Sequence, residues 1–125
     1  MALPKLLVAE DDTVLRDLYL RKFDRKAYDI RTAINGQEAL DLIAKENPDL
    51  LLLDINMPII DGFGVLEKLP KASRPFPVII LTNFDDQANR DRGKTHEVDD
   101  YFVKKDMTIK SLVEMVERLL KKSQV

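Results

Sequence analysis

The sequence predicts an α/β fold in which a parallel sheet is covered by helices on both faces. Residues 50–53 are four consecutive leucines, and Asp54 follows them directly. Such an unbroken apolar run is typical of a strand that is buried on both faces. Further apolar runs, at Lys5–Ala9 and 78–81, are separated from it by stretches with helical spacing. Because strands that alternate with helices form right-handed parallel βαβ units, we expect one parallel sheet.

The composition is that of an ordinary soluble globular protein, with 45% hydrophobic and 34% charged residues in a chain of 125. Cysteine is absent, which excludes disulfides and thiolate metal sites and is consistent with a reducing cytoplasm. The net charge of −2 and the lack of a basic patch argue against nucleic-acid binding. A single histidine, His96, gives poor support for Ser-His-Asp catalysis and is expected at the surface. We expect one cytoplasmic domain over residues 1–125, with no output domain, signal peptide or membrane span.

Five strands and five helices account for the chain. The predicted strands occupy residues 5–9, 28–33, 50–54, 78–81 and 101–103. The predicted helices begin after residues 12, 35, 61, 83 and 108. Asp12 or Thr13 is expected to cap the first helix and Thr108 the last. The fourth helix is placed at 84–97 by position, since its apolar pattern is poor.

Polar side chains follow four of the strands at the point where each strand ends. These residues are Glu10, Asp11 and Asp12, then Asp54, Thr82 and Lys104. Because the carboxyl ends of parallel strands share one edge of the sheet, we expect these side chains to lie together. Clustered carboxylates repel unless a cation neutralises them, and Mg²⁺ suits such an oxygen-rich site. A carboxylate beside the metal can act as a nucleophile toward phosphorus, and a lysine and a hydroxyl can stabilise the transferred group.

Over essentially its whole length the chain resembles the receiver domain of bacterial two-component response regulators, of the single-domain, chemotaxis-regulator-like kind. The matching segments, in order, are LLVAEDD, INGQEAL, PDLLLLDINMPIIDG, PVIILTN and DDYFVKK. The resemblance implies a flavodoxin-like, three-layer αβα fold with five helices and strand order 2-1-3-4-5. It also implies that a sensor histidine kinase or a histidine phosphotransfer protein phosphorylates Asp54.

The resemblance further implies a Mg²⁺ site. Asp11 and Asp54 would bind the ion directly, with the Asn56 backbone carbonyl as another ligand and Glu10 acting through water.

Other roles implied by the resemblance concern the phosphoryl group and the switch. Thr82 and Lys104 would contact the phosphoryl group, and Tyr101 matches the aromatic residue that turns inward when the threonine moves. Asn56 and Phe84 match variable positions that influence dephosphorylation.

Two departures from the family pattern lie close to the predicted site. Receiver domains usually have proline after the active-site lysine, often in a cis peptide bond, whereas this chain has Lys105. Because a cis bond before a residue other than proline costs roughly 3 kcal/mol, we predict a trans Lys104–Lys105 bond. Asn83 stands beside Thr82 where small residues are usual, and we predict that it alters the rate of phosphate loss.

The fourth helix departs further from the pattern. It carries Asp91, Lys94 and His96 where apolar residues are common, and Glu97 replaces the usual glycine. Gly93 weakens the helix by up to about 1 kcal/mol relative to alanine. Our hypothesis is that this helix is short, displaced or mobile.

The sequence therefore predicts a phosphorylation-controlled binding module whose output is a protein partner, and not an enzyme beyond self-phosphorylation and autodephosphorylation. We expect a monomer or a weak phosphorylation-dependent dimer.

One alternative is a pseudo-receiver that acts as a constitutive docking module. A phosphatase of the haloacid-dehalogenase type would need a second aspartate at the position of Asn56. Flavin or nucleotide binding would need a phosphate-binding loop after the first strand, which is lacking.

Overall fold

The computed structural model describes residues 2–83, 86–106 and 108–123. The strands are β1 (Lys5–Ala9), β2 (Asp29–Ala33), β3 (Leu50–Asp54), β4 (Val78–Thr82) and β5 (Asp100–Val103). The helices are α1 (Thr13–Lys22), α2 (Gly36–Lys45), α3 (Gly62–Lys68), α4 (Gln87–Thr95) and α5 (Ile109–Ser123). The strands pair in parallel in the order β2-β1-β3-β4-β5, which confirms the predicted flavodoxin-like fold class.

Alternate leucines of β3 serve two cores, one on each face of the sheet. The first core packs α2 and α3 against the sheet, and it includes Leu51, Leu53, Ala39 and Phe63. The second packs α1 and α5 against the opposite face, and it includes Leu50, Leu52, Tyr19 and Val116. Since successive side chains of a strand point to opposite faces, the leucine run is what lets β3 join both cores. Within the described ranges, no helix combines the length and apolar character needed to cross a bilayer.

The helix N-termini lie at the same edge as the carboxyl ends of the strands, and polar side chains cap them. The capping residues are Asp12, Asn35, Asp61, Asp86 and Thr108, whose side-chain oxygens accept backbone N–H bonds at 2.7–3.1 Å. Capping of this kind satisfies donors that a helix leaves unpaired at its first turn. The predicted caps at Asp12 and Thr108 are confirmed.

Helix α4 is regular, but it is shorter than the predicted 84–97 and its first expected residue, Phe84, lies outside the described residues. Asp91 and Lys94 are exposed, so neither packs against the sheet, and Ala88 is exposed as well. Gly93 is the buried residue of this helix. The shortness that we expected is therefore confirmed, whereas the mobility of α4 stays a prediction.

Aromatic rings under positively charged side chains take the place of an apolar face on α4. The Arg92 guanidinium lies 4.1 Å from the centre of the Phe63 ring, and that of Arg90 lies 5.1 Å from the centre of the Tyr101 ring. His96 stacks on Phe63 with ring centres 5.9 Å apart. His96 is only partly buried, so it lies at the surface as expected while packing one ring face on Phe63. Because Arg92 is exposed and Arg90 only partly buried, each cation–π contact is worth about 0.5–1 kcal/mol to the packing of α4.

Arg74 is buried at the opposite edge of the sheet and links the ends of two helices. Its guanidinium donates hydrogen bonds to the backbone carbonyls of Leu69, His96 and Glu97, each at 3.0 Å. Burial lowers the pKa of Arg74, and the negative charges of Asp99 and Glu97 oppose that effect. The guanidinium nevertheless stays protonated, because arginine loses its proton only far above neutral pH. Arg74 thus ties the connection between α4 and β5 to the end of α3.

Candidate functional site

Asp54 is the last residue of β3 and its side chain is held where the strand leaves the core. It is only 4% exposed, and the Asn56 backbone N–H donates to its Oδ1 at 3.2 Å. Gly62 at the start of α3 packs directly on this strand end. A Cβ at Gly62 would collide with the carbonyl oxygen of Asp54 and lie 2.9 Å from Ile55 Cα. The close return of the chain over Asp54 therefore requires glycine at this position.

Three carboxylates meet at this edge of the sheet. Glu10 follows β1, which pairs with β3, and it is completely buried, whereas the neighbouring Asp11 is exposed. One carboxylate oxygen from each of Glu10, Asp11 and Asp54 lies within 4.8 Å of the others. Arg16 of α1 fixes the backbone here, since its Nη1 donates to the carbonyl of Glu10 at 3.0 Å.

Lys104 supplies the positive charge opposite these acids. Its Nζ lies 2.6 Å from Glu10 Oε1 and 3.3 Å from Asp54 Oδ2, and its side chain is 9% exposed. Its backbone N–H donates to the Thr82 carbonyl at 2.8 Å, which positions the residue after β5. The described residues contain no cis peptide bond, so the predicted trans Lys104–Lys105 bond is confirmed. One ammonium cannot balance three carboxylates, so the site retains an excess of negative charge.

Two buried groups at this cluster, Glu10 and Tyr19, have raised pKa values. Burial raises the pKa of Glu10, and nearby Asp54 acts in the same direction while Lys104 opposes them. Burial also raises the pKa of Tyr19 on α1, and the negative charges of Glu10 and Asp54 add to that rise. Nothing in the sequence around Tyr19 indicates that this residue lies near the acids. A divalent cation would offset the repulsion between the clustered carboxylates.

Thr82 and Tyr101 share one face of the sheet. Thr82 ends β4 and is 1% exposed, and it pairs in register with Val103, two residues after Tyr101. The Tyr101 ring is buried and lies against Gly93, because a Cβ at Gly93 would be 2.8 Å from Tyr101 Cε2. Asp54 pairs in register with Leu81, the residue before Thr82. Thr82 therefore lies beside the acid cluster.

The structure thus brings together the predicted residues Glu10, Asp11, Asp54 and Lys104. Asn56 and Asn83 are exposed beside the cluster, and Phe84 lies outside the described residues. The donor set fits Mg²⁺, which prefers carboxylate and carbonyl oxygens and keeps part of its water shell. Exposed Asp11 leaves the cluster open on one side, where such waters can lie.

A parallel α/β domain with clustered acids and one lysine at the carboxyl edge of its sheet belongs to the class of proteins that bind their ligands at this edge. The chain belongs to the response regulator receiver domain family, whose sequence model matches residues 6–117. Proteins of this family are phosphoacceptor signalling modules of two-component systems. Membership sets aside the phosphatase and flavin-binding alternatives.

Curated relatives and solved structures agree with this assignment. The probable transcriptional regulator ycf27 of Cyanophora paradoxa is 36% identical over 120 residues, and response regulator MprA of Mycolicibacterium vanbaalenii is 33% identical over 119. The alignments cover 96% and 95% of this chain but 49% and 51% of those proteins, so the chain spans about half their length.

Two solved structures show how close the fold is. The receiver domain of the Francisella response regulator 1452 is 37% identical, with a TM-score of 0.87 over 96% of this chain and 98% of that one. A CheY-like receiver domain from Methanospirillum hungatei is 25% identical, with a TM-score of 0.90 over 98% of each chain.

Proposed function

We propose that this chain accepts a phosphoryl group on Asp54 from the phosphohistidine of a sensor histidine kinase or a histidine phosphotransfer protein. The observation that carries the proposal is the set of groups around this one carboxylate. Lys104 Nζ lies 3.3 Å from it, the Asn56 N–H donates to it, and the Glu10 and Asp11 oxygens lie within 4.8 Å.

In the proposed reaction a carboxylate oxygen of Asp54 forms a bond to phosphorus. The phosphorus–nitrogen bond to the donor imidazole breaks, which leaves an aspartyl phosphate and a free imidazole. Lys104 and Thr82 would stabilise the charge on the phosphoryl oxygens. Thr82 ends β4, which pairs with β3, and Lys104 follows β5, the next strand of the same sheet. Bound Mg²⁺ would add positive charge at the same oxygens.

The Mg²⁺ would be held by Asp11 and Asp54 directly and by the Asn56 backbone carbonyl, with Glu10 acting through water. Glu10 Oε1 is already engaged by the Lys104 ammonium at 2.6 Å, which supports the indirect role of Glu10.

Phosphorylation would add about −1.5 to −2 charges at this edge and so bias an existing equilibrium between two surface arrangements. We propose that Thr82 and Tyr101 carry this bias to a protein partner through the face that contains α4 and β5. The Cyanophora relative is described as a probable transcriptional regulator, so a DNA-binding domain is one form that the regulated partner can take.

A constitutive docking module is the second candidate. The unusual α4 favours it, since this helix exposes Asp91 and Lys94 where apolar residues are common in receiver domains.

Intact mass after incubation with acetyl phosphate and MgCl₂ separates the two candidates. We expect one phosphoryl adduct on the unaltered protein and none on Asp54→Asn, because the asparagine side chain is not a nucleophile toward phosphorus. Asp17→Asn, which changes an exposed aspartate of α1, should retain the adduct. An unaltered protein that never gains the adduct would support the docking module instead.

Asn83→Ala is expected to shorten the lifetime of the aspartyl phosphate by about threefold or more, which corresponds to ~0.7 kcal/mol of barrier. Asn83 is exposed next to Thr82, so removing its side chain admits water to the phosphoryl group. Decay of the adduct after removal of acetyl phosphate measures the lifetime, with Asn47→Ala at the opposite edge as the control. An identical lifetime in both variants would exclude a shielding role for Asn83.

A further inference from the structure

Gly36, at the start of α2, lies far from Asp54 in the sequence, yet its backbone contacts the loop that follows Asp54. This β3–α3 loop comprises residues 55–61. The Gly36 N–H donates to the Ile60 carbonyl at 3.0 Å. A Cβ at Gly36 would collide with that carbonyl oxygen and lie 2.8 Å from both the carbonyl carbon and Cβ of Ile60. Because the obstacle is backbone, no side-chain rotation could make room for a larger residue.

The β3–α3 loop is held in an unfavourable backbone conformation next to this contact. Ile59 has a φ of 71°, a value that β-branched residues strongly avoid. Its side chain is 77% exposed, so packing of the side chain does not hold the conformation. Such strain persists only where the surrounding structure enforces it.

Backbone hydrogen bonds are what enforce the conformation of the loop. The Gly62 N–H closes its base by donating to the Ile55 carbonyl at 2.9 Å. The Ile60 N–H closes a turn around Ile59 by donating to the Pro58 carbonyl at 2.8 Å. The bond from Gly36 then ties the turn to α2, whose first turn is capped by Asn35. The strained turn is therefore fixed to a helix that packs on the sheet through buried residues.

We propose that Gly36 is a positioning residue for the metal and phosphoryl site. It fixes the β3–α3 loop, and through that loop the Asn56 N–H that bonds Asp54 Oδ1 and the Asn56 carbonyl. The part of this inference that concerns Mg²⁺ rests on the proposed function. The part that concerns the loop rests on the Gly36–Ile60 contact alone.

Gly36→Ala tests the inference, with Gly64→Ala as a matched control. A Cβ at Gly64 would lie 2.8 Å from Ile60 Cγ2 and 3.2 Å from Asp61 Oδ1, which are side-chain atoms, so a change of the Ile60 χ1 rotamer can make room without moving the backbone. Titration calorimetry with MgCl₂ should show about tenfold weaker binding for Gly36→Ala, the size of loss typical when a residue that orients metal ligands is changed. Gly64→Ala should stay within about twofold of the unaltered protein.

Hydrogen exchange of the amides at residues 55–62 gives a readout that does not depend on the metal. In magnesium-free buffer, exchange in this segment should be faster in Gly36→Ala than in Gly64→Ala or the unaltered protein. A folded Gly36→Ala protein with unchanged exchange there and unchanged Mg²⁺ affinity would overturn the inference.

Asn35→Ala keeps the inference testable if Gly36→Ala does not fold. This change removes the side-chain cap of α2 without adding an atom near Ile60, and it should weaken Mg²⁺ binding severalfold. Thr108→Ala removes the corresponding cap of α5 and should leave Mg²⁺ binding unchanged; equal effects of the two cap variants would count against Gly36. If the unaltered protein neither binds Mg²⁺ nor gains a phosphoryl adduct, the proposed function fails, and the exchange comparison still decides whether Gly36 holds the loop.

Discussion

Lys104→Met is expected to lower the free energy of unfolding by about 3 kcal/mol in magnesium-free buffer. The ammonium lies 2.6 Å from the fully buried carboxylate of Glu10 and 3.3 Å from that of Asp54. Removing it leaves two buried carboxylates without their cation. Since the pKa of Glu10 is already raised, uptake of a proton by Glu10 limits the loss to the lower end of the range for broken buried pairs.

Urea unfolding followed by far-ultraviolet circular dichroism measures this effect. Mg²⁺ should stabilise Lys104→Met more than it stabilises the unaltered protein, because the ion takes over part of the charge that the lysine supplied. Lys105→Met is the control, since Lys105 is the next residue and is exposed. Equal losses in the two variants would show that the Lys104 pairs do not stabilise the fold.

Arg74→Met is expected to cost about 3 kcal/mol of unfolding free energy, because it removes three hydrogen bonds from a buried, charged donor to the part-buried carbonyls of Leu69, His96 and Glu97. The effect of Arg74→Met on backbone dynamics should be local. Amide exchange should quicken in α4 and in its connection to β5, where two of the three carbonyls lie, and change least in α1 and α2.

Arg74→Lys separates charge from geometry at the same position. A lysine keeps the charge, but a single ammonium cannot reproduce the planar fork that reaches three carbonyls, so we expect most of the loss to remain. Arg25→Met, at an exposed arginine, should be close to neutral. Recovery of full stability by Arg74→Lys would mean that the charge of Arg74 matters more than its three bonds.

The sequence predicted the architecture well because its strongest signals are local. The leucine run predicts β3, and the rule that parallel strands end at one edge of the sheet places Asp54, Glu10 and Lys104 together. No local sequence pattern predicts that Arg74 is buried and bonded to three carbonyls. Its acceptors lie 5, 22 and 23 residues away along the chain, and an arginine between loop residues is usually solvated.

Helix α4 shows a second limit of predicting structure from sequence patterns. Its lack of apolar residues correctly indicated an unusual helix, but the pattern could not show what replaces them. The Arg92–Phe63 contact joins two helices, and the Gly93–Tyr101 contact joins a helix to a strand. Contacts of this kind depend on tertiary placement and leave no periodic trace in the sequence. Gly36 was likewise visible only as the opening residue of a helix.

The pairing of Lys104 with Glu10 joins residues 94 positions apart. β1 lies inside the sheet and β5 at its edge, with β3 and β4 between them, so this pair can form only after those strands have docked. Because closing so long a loop has a high entropic cost, we expect this pair to form late in folding. A chain still emerging from the ribosome with β5 unmade lacks the lysine that the proposed phosphoryl transfer requires. The protein would therefore be able to accept a phosphoryl group only once β5 is in place, so incomplete chains would not be phosphorylated.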